Sequence, residues 1–122
     1  MDAFGILELK VVALAVDDRQ RAEDFYGRTL GLQPAEEGSF VLGSQLIMLK
    51  ATAEGWPARP SAELNPRLTL AVRDALQLET ALKERGVTVS DPVALYEAGT
   101  FHVGAFLDSE GNKWWFCSPN AN

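Results

Sequence analysis

The sequence predicts an α+β fold in which one strand–helix–strand–strand unit is used twice. Three observations carry this. "LAVDD" at residues 14–18 recurs as "LAVRD" at 70–74, and Leu30-Gly31-Leu32 corresponds to Arg85-Gly86-Val87. Each of the first pair closes a β-rich run and opens a helical period, so the repeat is one of pattern as well as letters. Between the copies lies "ATAEGWPARPSAELNP", residues 51–66, with three prolines and no periodicity, which reads as a linker. The modules then run over about 9–50 and about 67–118 of a single domain, 1–122. A small half-buried sheet is not stable alone, so the two modules are expected to pack together.

Each element has a local reason. "KVVALAVDD" is β-rich and ends at Asp17 and Asp18, both good helix N-caps, with Gln20 three after Asp17 in a capping-box pattern. "RQRAEDFYGRTLG" puts Ala22, Phe25, Tyr26, Thr29 and Leu30 on one helical face and is closed by Gly31. "SFVLGSQLIMLK" reads as two short strands around Gly43-Ser44. In the second copy "RLTLAVRD" is a strand ending at Asp74. "ALQLETALKERG" is a helix with Leu78, Ala81 and Leu82 inward and Gly86 as its stop. "GTFHVGAFLDSEGNKWWFCS" is strand, turn and strand. Asp108, Gly111 and Asn112 supply the turn, and "KWWFC" the bulky composition of a strand.

Composition narrows the function. Hydrophobic residues make up 47% and charged residues 23%, ordinary values for a globular protein. The net charge of −6 is divided evenly between the halves, and no Lys/Arg cluster is present for nucleic acid or an anionic membrane. The single cysteine, Cys117, excludes an internal disulfide and fits a reducing compartment. The start "MDAFGILELKVVALAV" is acidic and lacks a cleavage site, and no apolar run is long enough to span a bilayer. The expected location is cytoplasmic. No Gly-x-Ser-x-Gly elbow, Cys-His motif or Gly-rich phosphate loop before a helix occurs.

Two stretches carry a family resemblance. "VVALAVDDRQRAEDFYGRTLGL" is similar to the strand, Asp, Phe-Tyr helix and Leu-Gly of the vicinal oxygen chelate superfamily. That group includes glyoxalase I, bleomycin-resistance proteins, fosfomycin-resistance enzymes and extradiol dioxygenases. "FLDSEGNKWWF" resembles its Asp-Pro-Asp/Glu-Gly-Asn turn, with Ser109 in place of the usual Pro. The resemblance covers roughly residues 9–118. It implies two βαβββ modules whose curved mixed sheets surround a cavity, with the helices outside. It also implies pairing of two chains, which suits sheets with exposed edges; a homodimer is expected.

In metal-dependent members each module supplies one ligand on its first strand and one on its last. By that resemblance the four places fall here on Val11, Met48, Arg67 and Trp115. A thioether is a weak, soft ligand, and the other three side chains do not coordinate a divalent cation. With His102 the only histidine, a His-rich site is excluded. A site assembled elsewhere from Glu8, Glu97, His102 or Cys117 has no support in spacing. Neither metal nor cofactor is therefore expected.

Strand alternation sorts the remaining candidates. Val12, Leu14 and Val16 are large and suit packing under a helix, while Val11, Ala13 and Ala15 on the other face are small. The second copy sets Leu68, Leu70 and Val72 against Arg67, Thr69 and Ala71, and Trp114 and Phe116 against Lys113, Trp115 and Cys117. A concave face of small residues with one indole is the composition of a small-molecule pocket. The expected function is a metal-independent binding protein of the bleomycin-resistance type. It would sequester a planar or anionic aromatic ligand, as an antibiotic-resistance protein does. Its binding residues would be Val11, Ala13, Met48, Arg67, Thr69, Trp115, Cys117 and Trp56, with Arg67 or Lys113 opposite an anionic group and no catalytic residue. Trp115 reads either as a stacking platform or as a plug, and Trp56 either as a lid or as an anchor of the linker. The alternative is an enzyme, a glyoxalase-like lyase or isomerase or a dioxygenase relative, with a non-standard metal or acid–base site. A third possibility is a structural protein whose cavity has collapsed.

Overall fold

The computed structural model describes residues 5, 7, 10–36, 38–51, 53, 59–62, 68–96 and 98–120. The chain forms two compact units, residues 1–57 and 58–122.

The first unit contains β1 (Val11–Val16), α1 (Arg19–Asp24), β2 (Gln33–Pro34), β3 (Ser39–Leu42) and β4 (Gln45–Ala51). Its sheet has the order β1-β4-β3-β2, with β1 parallel to β4 and the other pairs antiparallel. α1 begins where the Asp18 carboxylate accepts the Arg21 N–H at 3.0 Å. Because Asp18 rather than Asp17 is the cap, Gln20 falls one position short of the third helical residue, and the expected capping box gives way to this single bond.

The helix expected through Leu30 is also modified. After Asp24 the chain widens into a π-helical turn, Phe25–Thr29, in which the Leu30 N–H donates to the Phe25 carbonyl at 2.9 Å. Adjacent residues of an α-helix point about 100° apart, so two neighbouring aromatic rings do not ordinarily share a core. Here Phe25 and Tyr26 are both buried, edge to face with ring centres 5.2 Å apart, and Tyr26 lies 6.1 Å from Phe40. Phe40 pairs with Ile47, and Ile47 with Val12. The helix side of this sheet is therefore the face of Val12, Leu14, Val16, Ile47 and Leu49, as the alternation predicts.

The second unit contains β5 (Thr69–Ala71), α2 (Ala75–Glu84), β6 (Val89–Tyr96), β7 (Phe101–Leu107) and β8 (Lys113–Pro119). Its order is β5-β8-β7-β6, again with the first strand parallel to the last. Asp74 caps α2 through the Gln77 N–H at 3.2 Å. At its other end Gly86, with φ +76°, lets the Gly86 N–H reach the Lys83 carbonyl and the Val87 N–H reach that of Leu82, a Schellman closure. Ala75 and Leu82 are buried and Leu78 and Ala81 half-buried, so the inward face is the expected one. The Ala75 N–H donates to Ser118 Oγ at 2.9 Å, which ties the start of α2 to β8.

Each unit is thus a βαβββ module, and the chain is α+β with two four-stranded mixed sheets. Spacing alone omitted β2 and β6, for a common reason. Both are edge strands, and each contains a proline, Pro34 or Pro92, that interrupts the alternating signal. At Pro92 the β6–β7 register shifts, and the Val93 N–H is taken by the Glu79 carboxylate of α2 at 2.9 Å. Gly104 of β7 is close to the shifted segment. A Cβ there would stand 2.8 Å from Val93 Cγ2 and 2.9 Å from Phe116 Cζ, so only glycine fits without displacement. Among the described residues no helix is long and apolar enough to cross a membrane.

Candidate functional site

One hydrogen bond of β8, from the Ala75 N–H to Ser118 Oγ, decides which way its side chains face. Ser118 bonds α2, so Trp114 and Phe116, which share its face, lie on the helix side, where they are 4% and 0% exposed. Lys113, Trp115 and Cys117 then occupy the opposite, helix-free face and are each half-buried. The expected alternation holds along the strand.

A row of side chains crosses this face at Trp115. In register, Thr69 on β5 flanks Trp115 on one side and Ala105 on β7 on the other, with Asp91 of β6 beyond Ala105. Ala105 is fully buried. Its small side chain leaves space above β7 for larger neighbours. Lys113, paired with Leu107 on β7, reaches diagonally to β6: its Nζ lies 2.6 Å from Asp91 Oδ1 and 4.6 Å from the centre of the Trp115 ring. The ammonium thus makes an ion pair and a cation–π contact together. Lys113 was expected opposite a ligand's anionic group; its charge is already balanced by Asp91, and its position is over the indole. Cys117 lies beside Ala71 and Val103.

The turn before β8 holds this strand in place. Asp108 and Asn112 are buried. Asp108 Oδ1 accepts the Glu110 and Asn112 N–H groups, both at 2.8 Å, and Oδ2 accepts Asn112 Nδ2 at 3.1 Å. Gly111, with φ +93°, makes the reversal between them. Asn112 Oδ1 in turn accepts the Ser61 N–H at 2.9 Å, and the Lys113 N–H donates to the Ser61 carbonyl at 3.2 Å. Ser61 of the proline-rich segment is therefore strapped to the beginning of β8. Ser109, where the resemblance has proline, bonds the Glu110 carboxylate at 2.9 Å.

In the first unit the equivalent row is Ala13, Met48 and Ser39. Val11 lies two residues along the same face, beside Leu46. The structure therefore places Val11, Ala13 and Met48 together on one helix-free face, and Thr69, Trp115 and Cys117 together on the other. Arg67 and Trp56, and likewise Glu8 and Glu97, lie outside the described residues. His102 pairs with Ser118 and so belongs to the helix side, opposite Cys117. One site cannot use both. Among the described residues no three of His, Cys, Asp and Glu come together as a metal-binding group. The functional candidate that sequence reasoning missed is Asp91. Its signal was the alternation in "VTVSDPVALY", broken at Pro92.

Comparison with known proteins bears on this frame. The family model described as the Glyoxalase/Bleomycin resistance protein/Dioxygenase superfamily matches residues 8–116. The chain belongs to that superfamily. Its fold is similar to a glyoxalase-related enzyme from Fulvimarina pelagi, at 16% identity and a TM-score of 0.75, over 93% of this chain and 88% of that one. It is also similar to lactoylglutathione lyase from Agrobacterium tumefaciens, at 18% identity and 0.72, over 91% and 92% of the two chains. TnmS3, an antibiotic binding protein from Streptomyces sp. CB03234, aligns at 22% identity and 0.70, over 96% and 99%. Identities this low speak for the fold. Among curated proteins none matches significantly. Proteins with this fold thus include enzymes and a binder, and this chain's own residues must separate the two readings.

Proposed function

We propose that this superfamily member is a metal-independent small-molecule binder that holds a planar or anionic aromatic ligand by stacking on Trp115. The observation that carries the reading is the placement of that indole. It stands on the helix-free face of the second sheet, flanked by Thr69 and Ala105; the resemblance implies that this is where metal-dependent relatives carry a carboxylate. The other three positions of that set hold Val11, Met48 and Arg67, which are no better as ligands for a hard or borderline cation. His102 and Cys117 lie on opposite faces of the sheet, which speaks against a site that uses both. TnmS3, an antibiotic binding protein with this fold, is a precedent for small-molecule binding.

Stacking on an indole adds a geometric term of about 0.5–1.5 kcal/mol to apolar burial. Micromolar binding requires about 8 kcal/mol in total, so burial of the ligand's own surface must supply most of it. An anionic group would be met by Arg67. The test is titration of the purified protein with a panel of neutral and anionic polycyclic aromatics, read by quenching of tryptophan emission. Saturable quenching by some members, without glyoxalase I activity and without stoichiometric metal by elemental analysis, is the expected result. One tightly held metal ion per chain, or no binding across the panel, overturns the reading. We further propose that the chain acts as a homodimer, because among the described residues each sheet ends in edge strands, β1 and β2 or β5 and β6. Sedimentation as a monomer at tens of micromolar would reject that.

A further inference from the structure

We propose that Lys113, held by Asp91, is the specificity-determining residue of this face and makes it reject cationic aromatic ligands in favour of neutral or anionic ones. The inference rests on the stacking role of Trp115 given above and adds the charge class of the ligand and the residues that set it.

The bland expectation is the reverse. A bare indole prefers a cation on its face, because the ring quadrupole is negative there. A chain with a net charge of −6 also draws cations by its long-range field. Both effects favour a cationic aromatic, and the Lys113 geometry opposes both. Its ammonium already sits 4.6 Å from the Trp115 ring centre, so one face of the quadrupole is satisfied by the protein itself. A ligand stacking on the opposite face would have this fixed positive charge behind the ring. A cationic ligand there is repelled by Lys113 and finds an indole whose electrons are already polarised away from it. Neutral rings suffer no such repulsion, and an anionic one is attracted.

Asp91 is a positioning residue in this scheme. Lysine has a long, flexible stem, and an exposed ammonium samples many rotamers. The 2.6 Å contact to Asp91 Oδ1, reached diagonally across β7, selects the conformer that covers the indole. The Lys113 side chain is only 19% exposed, which limits its solvent screening. Asp91 also cancels the net charge of the pair at long range, so the device acts on a ligand in contact with Trp115 and little on one in solution.

Two ring systems of the same shape test this, 1-methylnaphthalene and the N-methylquinolinium cation. Affinities come from titrating the indole N–H resonances of the intact protein by NMR. The wild type is expected to bind the neutral ring about tenfold more tightly than the cation. In K113M the ratio should fall to one or reverse. The double variant K113M/D91N, which also removes the Asp91 charge, should give a ratio of one or below, as the indole without Lys113 then sets it. K113R keeps a cation over the ring and should preserve the neutral preference. A purely structural Lys113 would change both affinities together and leave their ratio unmoved. Preference for the cation by the wild type, or a ratio unchanged in the double variant, overturns the inference while leaving Trp115 as a binding surface. Binding of neither probe nor any ring in the wider panel removes the binder reading itself, and this inference with it.

Discussion

Alanine at Trp114 is expected to lower the free energy of unfolding by about 3–5 kcal/mol, the usual cost of emptying a core of a large aromatic side chain. Alanine at its neighbour Trp115 is expected to leave a folded protein that has lost ligand binding at least tenfold, roughly 1.4 kcal/mol or more. The two residues have the same chemistry and adjacent positions; what separates them is the face of β8. Trp114 is 4% exposed on the side that Ser118 ties to α2. Trp115 is half-buried on the side of Thr69 and Ala105. Urea denaturation and ligand titration on both variants check the pair. If Trp115→Ala unfolds the protein as severely as Trp114→Ala does, and the wild type binds no aromatic ring, the indole is a plug.

Asp108→Ala is expected to destabilise the protein by about 3 kcal/mol, since leaving a buried donor without its acceptor costs about 1–3 kcal/mol each. The carboxylate accepts two backbone N–H groups and the Asn112 amide, and both Asp108 and Asn112 are buried. Asp108→Asn should recover only part of this. Its carbonyl oxygen can serve the two backbone donors, but its NH₂ group would then oppose the NH₂ group of Asn112. Denaturation midpoints in the order wild type, Asn, Ala are the expected result. Equal midpoints for wild type and Ala would show that water satisfies the turn. Loosening this turn also releases Ser61 from Asn112, so ligand affinity in Asp108→Asn should fall together with stability.

The module repeat, both helix starts and the two faces of each long strand were legible in the sequence. They depend on local geometry: a strand alternates with period two whatever it pairs with, and an aspartate before a helical run satisfies the first free N–H groups wherever the helix lies. The helix-free placement of Ala13, Thr69, Trp115 and Cys117 follows from the same periodicity. The π-helical turn at Phe25-Tyr26 was not legible, because a period of 3.6 is assumed until packing forces two adjacent rings into one core. Nor was β6, where Pro92 breaks the pattern and a side chain from α2, Glu79, completes the hydrogen bonding.

The Lys113–Asp91 pair belongs to the same class. The partners are separated by 21 intervening residues (113 − 91 − 1) and meet across β7 through a register that two shifts have altered. By itself the sequence determined the strands other than β2 and β6 and which face of each is apolar. The tertiary structure alone decided that Lys113 lies over Trp115 and answers to Asp91. Periodicity describes one strand at a time, whereas the neighbour across a sheet is set by register. Register depends on bulges, turns and packing distant in the chain.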